Sequence, residues 1–337
     1  MELDEADLTR RADRAAQAWH PGVALHGLRV LPGGSSSLVY VADVEGGPPG
    51  EASVVLKVAP PGLPPVRNRD MLRQGRVMQA LAGVTGVRVP ALLFDDPGDP
   101  PEIPPFIATS FVAGECYEPI LEAARELRPR DEVRSRAFAA ARMLAELHRV
   151  PAEHLGLDEP AVGLTDEIDR WTRALETVDD SLRTGYEAVA AALHASVPQP
   201  LPTVVVHGDY RLGNMLCASG EVEAIIDWEI WAISDPRIDL AWFLFFTDEA
   251  EHAAVAQRVE SGMPTAAELL GTYEEASGAP VPDLDWFHAL TRYKEAGATA
   301  LIFKRLRKQG VAASDQMNPD MTVRCLQDAA AILARTG

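Results

Sequence analysis

Cysteine is scarce in this chain: three in 337 residues, Cys116, Cys217 and Cys325, scattered and without a Cys-x-x-Cys pair. That pattern excludes both a disulfide framework and a cysteine-held zinc site. The eight histidines add no His-Glu-x-x-His spacing. Long apolar runs are missing as well. The longest, near Leu240–Phe246, is far shorter than the ~20 residues that a membrane-spanning helix needs. The opening residues Glu2, Asp4, Glu5 and Asp7 are the reverse of a basic, apolar signal peptide. The expectation is a cytoplasmic protein without a membrane partner. An excess of positive charge is also lacking, because 31 Lys and Arg face 50 Asp and Glu for a net charge of −19. Nucleic acid is therefore not an expected partner, since phosphate neutralisation needs a basic surface.

What is present is enough apolar material, 47% of residues, for a substantial core, and a length that fits two domains. The acidity is uneven. Residues 1–112 hold 13 acids and 10 bases, so most of the negative charge lies in residues 113–337. Such a field favours a cationic ligand, or serves only solubility. Along the chain, Asp4–Trp19 has the apolar spacing of an amphipathic helix. Strand patterns follow at Gly27–Leu31, Leu38–Val44 and Ala52–Ala59, then a helical pattern at Asn68–Leu81 and a strand at Phe106–Val112. From Glu118 onward the pattern turns helical, with apolar stripes in Ala137–Leu147 and Thr165–Leu175. Thr265–Ser277 stops at Gly278, and Trp286–Lys308 ends in a basic cluster that complements a helix dipole.

One eleven-residue stretch carries the chemistry: His207-Gly-Asp-Tyr-Arg-Leu-Gly-Asn-Met-Leu-Cys217. Asp209 stands five positions before Asn214, and Asp227 closes the apolar run Ala224-Ile225-Ile226. Phosphoryl transfer needs one carboxylate beside the acceptor hydroxyl. It also needs an amide oxygen and a second carboxylate on the magnesium that neutralises the phosphates. Asp209 fits the first role, Asn214 and Asp227 the second. Arg211 is either a contact to the transferring phosphate or an exposed loop arginine. Gly33, Gly34, Ser35, Ser36 and Ser37 lie between two strand patterns, as an ordinary turn or as backbone N–H groups aimed at phosphate. They are not a Walker A loop, because no Gly-Lys-Ser/Thr follows.

His-Gly-Asp at the entry, with Asp235-Pro236-Arg237-Ile238-Asp239-Leu240-Ala241-Trp242 downstream, resembles the aminoglycoside phosphotransferase superfamily. The resemblance implies an α+β, two-lobed protein-kinase-like fold, with a small β-rich lobe over residues 1–112 and a larger, mainly helical lobe over 113–337. It implies ATP and Mg2+ as cofactors and a small-molecule hydroxyl as acceptor. By the same likeness Lys57 reaches the α- and β-phosphates, Thr109–Gly114 with Ser110 and Val112 forms the hinge that holds adenine, and His207 and Asp239 brace the catalytic loop. Trp228 and Trp242 are expected in the core. The family's lysine-pairing glutamate is absent, for Gln74 occupies its place; an amide can hydrogen-bond an ammonium but cannot form the ion pair. Asp70, four residues earlier on the same helical face, is the candidate substitute. A nucleotide-binding pseudokinase is accordingly the alternative function. Ser261–Thr265, Tyr273–Gly278 and Asp283–Trp286 resemble a branch that includes kinase-like domains fused to acyl-CoA dehydrogenases, which leaves the acceptor aminoglycoside-like or a metabolic hydroxylated or hydroxyacyl compound.

Overall fold

A computed structural model describes residues 3–31, 37–249, 252, 259–310 and 320–336. Five strands, β1 (Ala24–Val30), β2 (Leu38–Glu45), β3 (Ser53–Val58), β4 (Leu92–Asp96) and β5 (Phe106–Ser110), form an antiparallel sheet in the order β1-β2-β3-β5-β4. Helix α1 (Glu5–Trp19) covers one face. Its buried Leu8, Ala12 and Ala16 meet Tyr40, Ala42, Val54, Leu56 and Phe106, one fully apolar layer. Asp4 caps that helix by accepting the Asp7 N–H. Strand alternation then decides the site: in β3, Val54, Leu56 and Val58 point into the α1 layer, so Lys57 points the opposite way. On that second face lies α2 (Met71–Leu81), with Met71, Val77, Met78 and Leu81 buried in the same cluster as Ile107.

The rest is mainly helical. The helices are α3 (Pro119–Glu122), α4 (Arg130–His148), α5 (Leu164–Leu175), α6 (Tyr186–Ala195), α7 (Arg237–Phe245), α8 (Ala266–Ser277), α9 (Leu284–Gln309) and α10 (Asp320–Thr336). Thr265 and Glu268 form a reciprocal capping box at the start of α8, and Gly278 ends it in a left-handed conformation, as the sequence expects. One core joins α2, α4 and α8; a second joins α5, α6, α9 and α10 around Trp171, Trp286 and Phe287. Each such buried side chain contributes about 1.5–3 kcal/mol. No helix among the described residues is long and apolar enough to cross a membrane.

Between these cores run four short strands, β6 (Val204–Val206), β7 (Met215–Ala218), β8 (Glu221–Ile225) and β9 (Ala232–Ser234). Strands β7 and β8 form a hairpin whose two-residue turn is Ser219-Gly220, both at positive φ, the geometry that suits the strand twist. Antiparallel β6 and β9 bracket it. The segment that follows β5 is tied to this hairpin by a bridge between Glu115 and Cys217. Gly114 permits the approach: a Cβ there would stand 3.1 Å from the Cys217 backbone.

Candidate active site

The loop between β6 and β7 is built on Asp239, a fully buried carboxylate near the start of α7. Its two oxygens accept the backbone N–H groups of His207 and Gly208. Burial alone would raise this carboxyl; His148, whose Nε2 lies 3.7 Å away, and the backbone N–H of His207 outweigh that and hold it low. His207 Nε2 donates to the Ile226 carbonyl at 2.8 Å while its Nδ1 accepts the Asp209 N–H. One tautomer serves both contacts, and the ring thereby links Asp209 to the residue beside Asp227. Gly208 has a φ of 85°, and a Cβ would come within 2.6 Å of the Ile230 carbonyl. Only glycine fits there.

Asp209 emerges with both oxygens engaged. Asn214 Nδ2 reaches Oδ2 at 2.7 Å, Arg211 Nε lies 3.2 and 3.3 Å from the two oxygens, and Trp242 Nε1 donates to Oδ1 at 2.8 Å. Since the Asn214 amide nitrogen faces Asp209, its Oδ1 is available as an oxygen donor. Asp227 sits in the left-handed region at φ 64°, a conformation that costs a side-chain-bearing residue of order 1–3 kcal/mol and concentrates at functional sites. Its carboxylate meets Lys57 Nζ at 2.6 Å. Burial works to raise that carboxyl, but the Lys57 ammonium holds it below its ordinary value. Lys57 and Asp227 thus form one bonded pair and Asn214 and Asp209 another, and the Ile226 N–H beside Asp227 donates to the Asn214 carbonyl at 2.9 Å, which ties the two pairs together.

Other expected residues are placed differently. Gln74 is buried, and its Nε2 donates to the Asn68 carbonyl rather than meeting Lys57. Asp70 is not a substitute partner. It caps α2, its Oδ1 accepting the Arg73 N–H at 2.9 Å. The lysine-pairing role expected of the α2 acid passes instead to Asp227. A glutamate at position 74 would face a carbonyl oxygen with a buried charge, so Gln74→Glu is expected to destabilise the fold by about 1–3 kcal/mol in chemical denaturation. Asp70→Ala is expected to cost about 1 kcal/mol through the lost cap, with no selective loss of nucleotide binding. In the hinge, strand β5 ends at Ser110, short of the expected Val112. The Ser110 N–H is bonded to the Ala91 carbonyl and its Oγ to the Ala91 N–H, while Val112 is half-buried beyond the strand. Gly33, Gly34, Ser35 and Ser36 lie outside the described residues; Ser37 is buried just before β2.

Three residues reach the site that sequence reasoning does not assign to it. Trp242 is in the core as expected, yet also binds Asp209. Glu118, buried before α3, accepts the Gly213 N–H at 2.9 Å and lies 3.5 Å from Arg211; burial pushes its carboxyl up to about 7. Lys294, buried in α9, donates to the Gly208 carbonyl. Beside it Glu295 is also pushed up to about 7 by burial. A raised acid contributes stability that is present below its unfolded pKa of 4.5 and lost as pH rises through the folded value. Glu295→Gln is thus expected to raise stability at pH 8 by of order 1–3 kcal/mol and to give little advantage near pH 4.5, measured by denaturation at both pH values.

The model of the phosphotransferase enzyme family (APH) matches residues 27–275, most of the chain and, apart from Lys294 and Glu295, the groups above. The chain belongs to the phosphotransferase enzyme family. Among curated proteins, this phosphotransferase-family chain is 26% identical to mouse acyl-CoA dehydrogenase family member 10, over 81% of this chain but 26% of that protein. It spans about a quarter of the length of the curated relatives it matches. Among solved structures it is similar to a Ralstonia eutropha protein assigned provisionally to the aminoglycoside phosphotransferases, with 22% identity, 98% and 96% of the two chains covered and a TM-score of 0.70. It is also similar to a thermostable mutant of aminoglycoside phosphotransferase APH(4)-Ia, solved with AMP-PNP and hygromycin B, at 14% identity, 96% and 97% coverage and a TM-score of 0.62. At these identities the structures establish the two-lobed kinase-like fold.

Proposed function

We propose that this phosphotransferase-family chain moves the γ-phosphoryl group of ATP, with Mg2+, to a hydroxyl of a small molecule. The observation that carries the reading is the set of two bonded pairs, Lys57 with Asp227 at 2.6 Å and Asn214 with Asp209 at 2.7 Å, tied together by the Ile226 N–H on the Asn214 carbonyl at 2.9 Å. Nucleotide belongs on the sheet side, between Lys57 and Ser110–Val112, with the lobe boundary near Val112. Acceptor belongs on the helical side, where Asp209 takes the hydroxyl proton as the new P–O bond forms.

The donor set fits magnesium that arrives with nucleotide. Asn214 and Asp227 supply two hard oxygens, and the described residues contain no group of three or more His, Cys, Asp or Glu that could hold an ion alone. Mg2+ typically takes one or two protein oxygens and completes its shell with phosphate and water. When bound it would neutralise phosphate charge. Lys57, which lies 2.6 Å from Asp227, would hold the α- and β-phosphates.

For the acceptor, the charges around the base are near balance, unlike the chain as a whole: Arg211 and Lys294 face the carboxylates of Asp209 and Asp239. The side chains nearest Asp209 include cationic Arg211 and Lys294, and the nearby acids Glu118 and Glu295 are pushed up to about 7. Behind them Trp242, Phe245 and Phe246 form an aromatic cluster with Ile120 and Leu121. This favours a neutral or anionic hydroxylated acceptor over a polycationic aminoglycoside. The bonding of Gln74 to Asn68 supports the second reading, a nucleotide-binding pseudokinase. Thermal shift with ATP, with and without Mg2+, tests the nucleotide half of both readings: a magnesium-enhanced rise in Tm is expected, and no shift with either would refute them together.

A further inference from the structure

Lys294 is a fully buried ammonium in the middle of α9, and no carboxylate forms an ion pair with it among the described residues. Burial lowers its pKa, with Glu167, Asp209 and Asp239 opposing from a distance. A core gains stability when such a charge is replaced by an apolar side chain of similar size, so packing does not account for a lysine here. Its contacts do. The ammonium donates to the carbonyl of Gly208, the residue before the base, and lies 3.8 Å from the centre of the Trp242 ring. That same indole donates its N–H to Asp209 Oδ1 at 2.8 Å, and a cation on the ring face makes the pairing of ammonium and indole favourable. Asn214 holds the other oxygen.

We infer that Lys294 and Trp242 act together as positioning residues for Asp209, the ammonium fixing the loop carbonyl and the indole, and the indole N–H fixing the plane of the carboxylate. The inference rests on the reading of Asp209 as the base. The pair brings α7 and α9 to bear on one reacting group, so that its lone pair is aimed before any acceptor arrives. Misplacing a reacting group by about 1 Å costs on the order of a hundredfold in rate, which gives the arrangement its value despite the buried charge.

Two measurements on the full chain test it. The first is magnesium-dependent hydrolysis of ATP, with water as acceptor, in wild type, Lys294→Met and Trp242→Phe. Both variants are expected to lose at least about tenfold in kcat with KM for ATP within about threefold, and Lys294→Met is expected to melt no lower than wild type. The second is the 15N–1H signal of the Trp242 indole, one of six in the chain, assigned by its loss in Trp242→Phe. Asp209→Asn and Lys294→Met should each move that signal and leave those of Trp19 and Trp286 in place. A Lys294→Met protein that melts lower but turns over ATP normally would make Lys294 structural and overturn the inference. So would an indole signal that neither substitution moves. If Lys294→Met does not fold, Trp242→Phe decides, because it removes the donor to Asp209 and leaves the lysine. If wild type hydrolyses no ATP with magnesium, water does not serve as acceptor, and the indole signal alone decides the positioning pair.

Discussion

Asp209→Asn is expected to lower phosphoryl transfer by about 10²–10⁴-fold while leaving nucleotide affinity within a few fold. The carboxylate is the only group in the set placed to take a proton from an acceptor, and its contacts show why the amide fails. Oδ2 accepts from Asn214 Nδ2, and Arg211 Nε lies 3.2–3.3 Å from both oxygens. An asparagine can keep the bond from Trp242 to one oxygen only by turning its own NH2 toward Asn214 and Arg211, donor against donor. The base is lost and the loop is disturbed in the same step. On the proposed reading nucleotide is held elsewhere, by Lys57 and the sheet, so its Kd serves as the internal control. Steady-state rates with one acceptor and nucleotide titration give both quantities; turnover within a few fold of wild type would remove Asp209 from the mechanism.

The second large effect concerns Asp227. Asp227→Ala is expected to weaken nucleotide binding at least about tenfold in magnesium, about 1.4 kcal/mol, and to change it little in EDTA. Without metal the carboxylate is a competitor for Lys57, to which it is bonded at 2.6 Å. Its removal frees that ammonium for the phosphates and offsets any loss. With metal, on the proposed reading, it would be one of two protein oxygens on the ion, and its loss would halve the protein's share of the ligands. Titration of ATP in both buffers separates these roles. Equal losses would mean that Asp227 supports the left-handed turn before Trp228 and does not hold metal.

The parts of this site legible in sequence are those that share one short stretch of chain. His207 to Asp227 is a strand entry, a loop and a hairpin, so the spacing of Asp209, Asn214 and Asp227 translates directly into proximity. Lys57 is legible for a related reason, since strand alternation alone separates it from Val54, Leu56 and Val58. The small sheet and most helices follow from apolar periodicity and from punctuation such as Gly278. Asp70 shows a signal weighed wrongly: an aspartate immediately before a helical pattern is first an N-cap, and the local bond to Arg73 N–H prevails over a distant ion pair. Glu118, Trp242 and Lys294 carry no comparable signal. Each enters from a helix or turn remote in sequence, 95, 33 and 86 residues from its partner in the loop, and each sits in an apolar setting where core packing is the simpler reading. Around the base, Arg211 and Lys294 likewise balance the carboxylates of Asp209 and Asp239 despite the acidic composition, because charge counts say nothing about which charges meet.

The central claim is transfer of the γ-phosphoryl group, and its most direct measurement follows label from γ-labelled ATP into pooled hydroxylated small molecules, neutral, anionic and cationic, with magnesium or EDTA. The account predicts a labelled phosphate ester formed by wild type only in magnesium, from a neutral or anionic pool, and none by Asp209→Asn. A wild-type protein that binds ATP in magnesium yet leaves all label on the nucleotide, with every pool and with water, would contradict it.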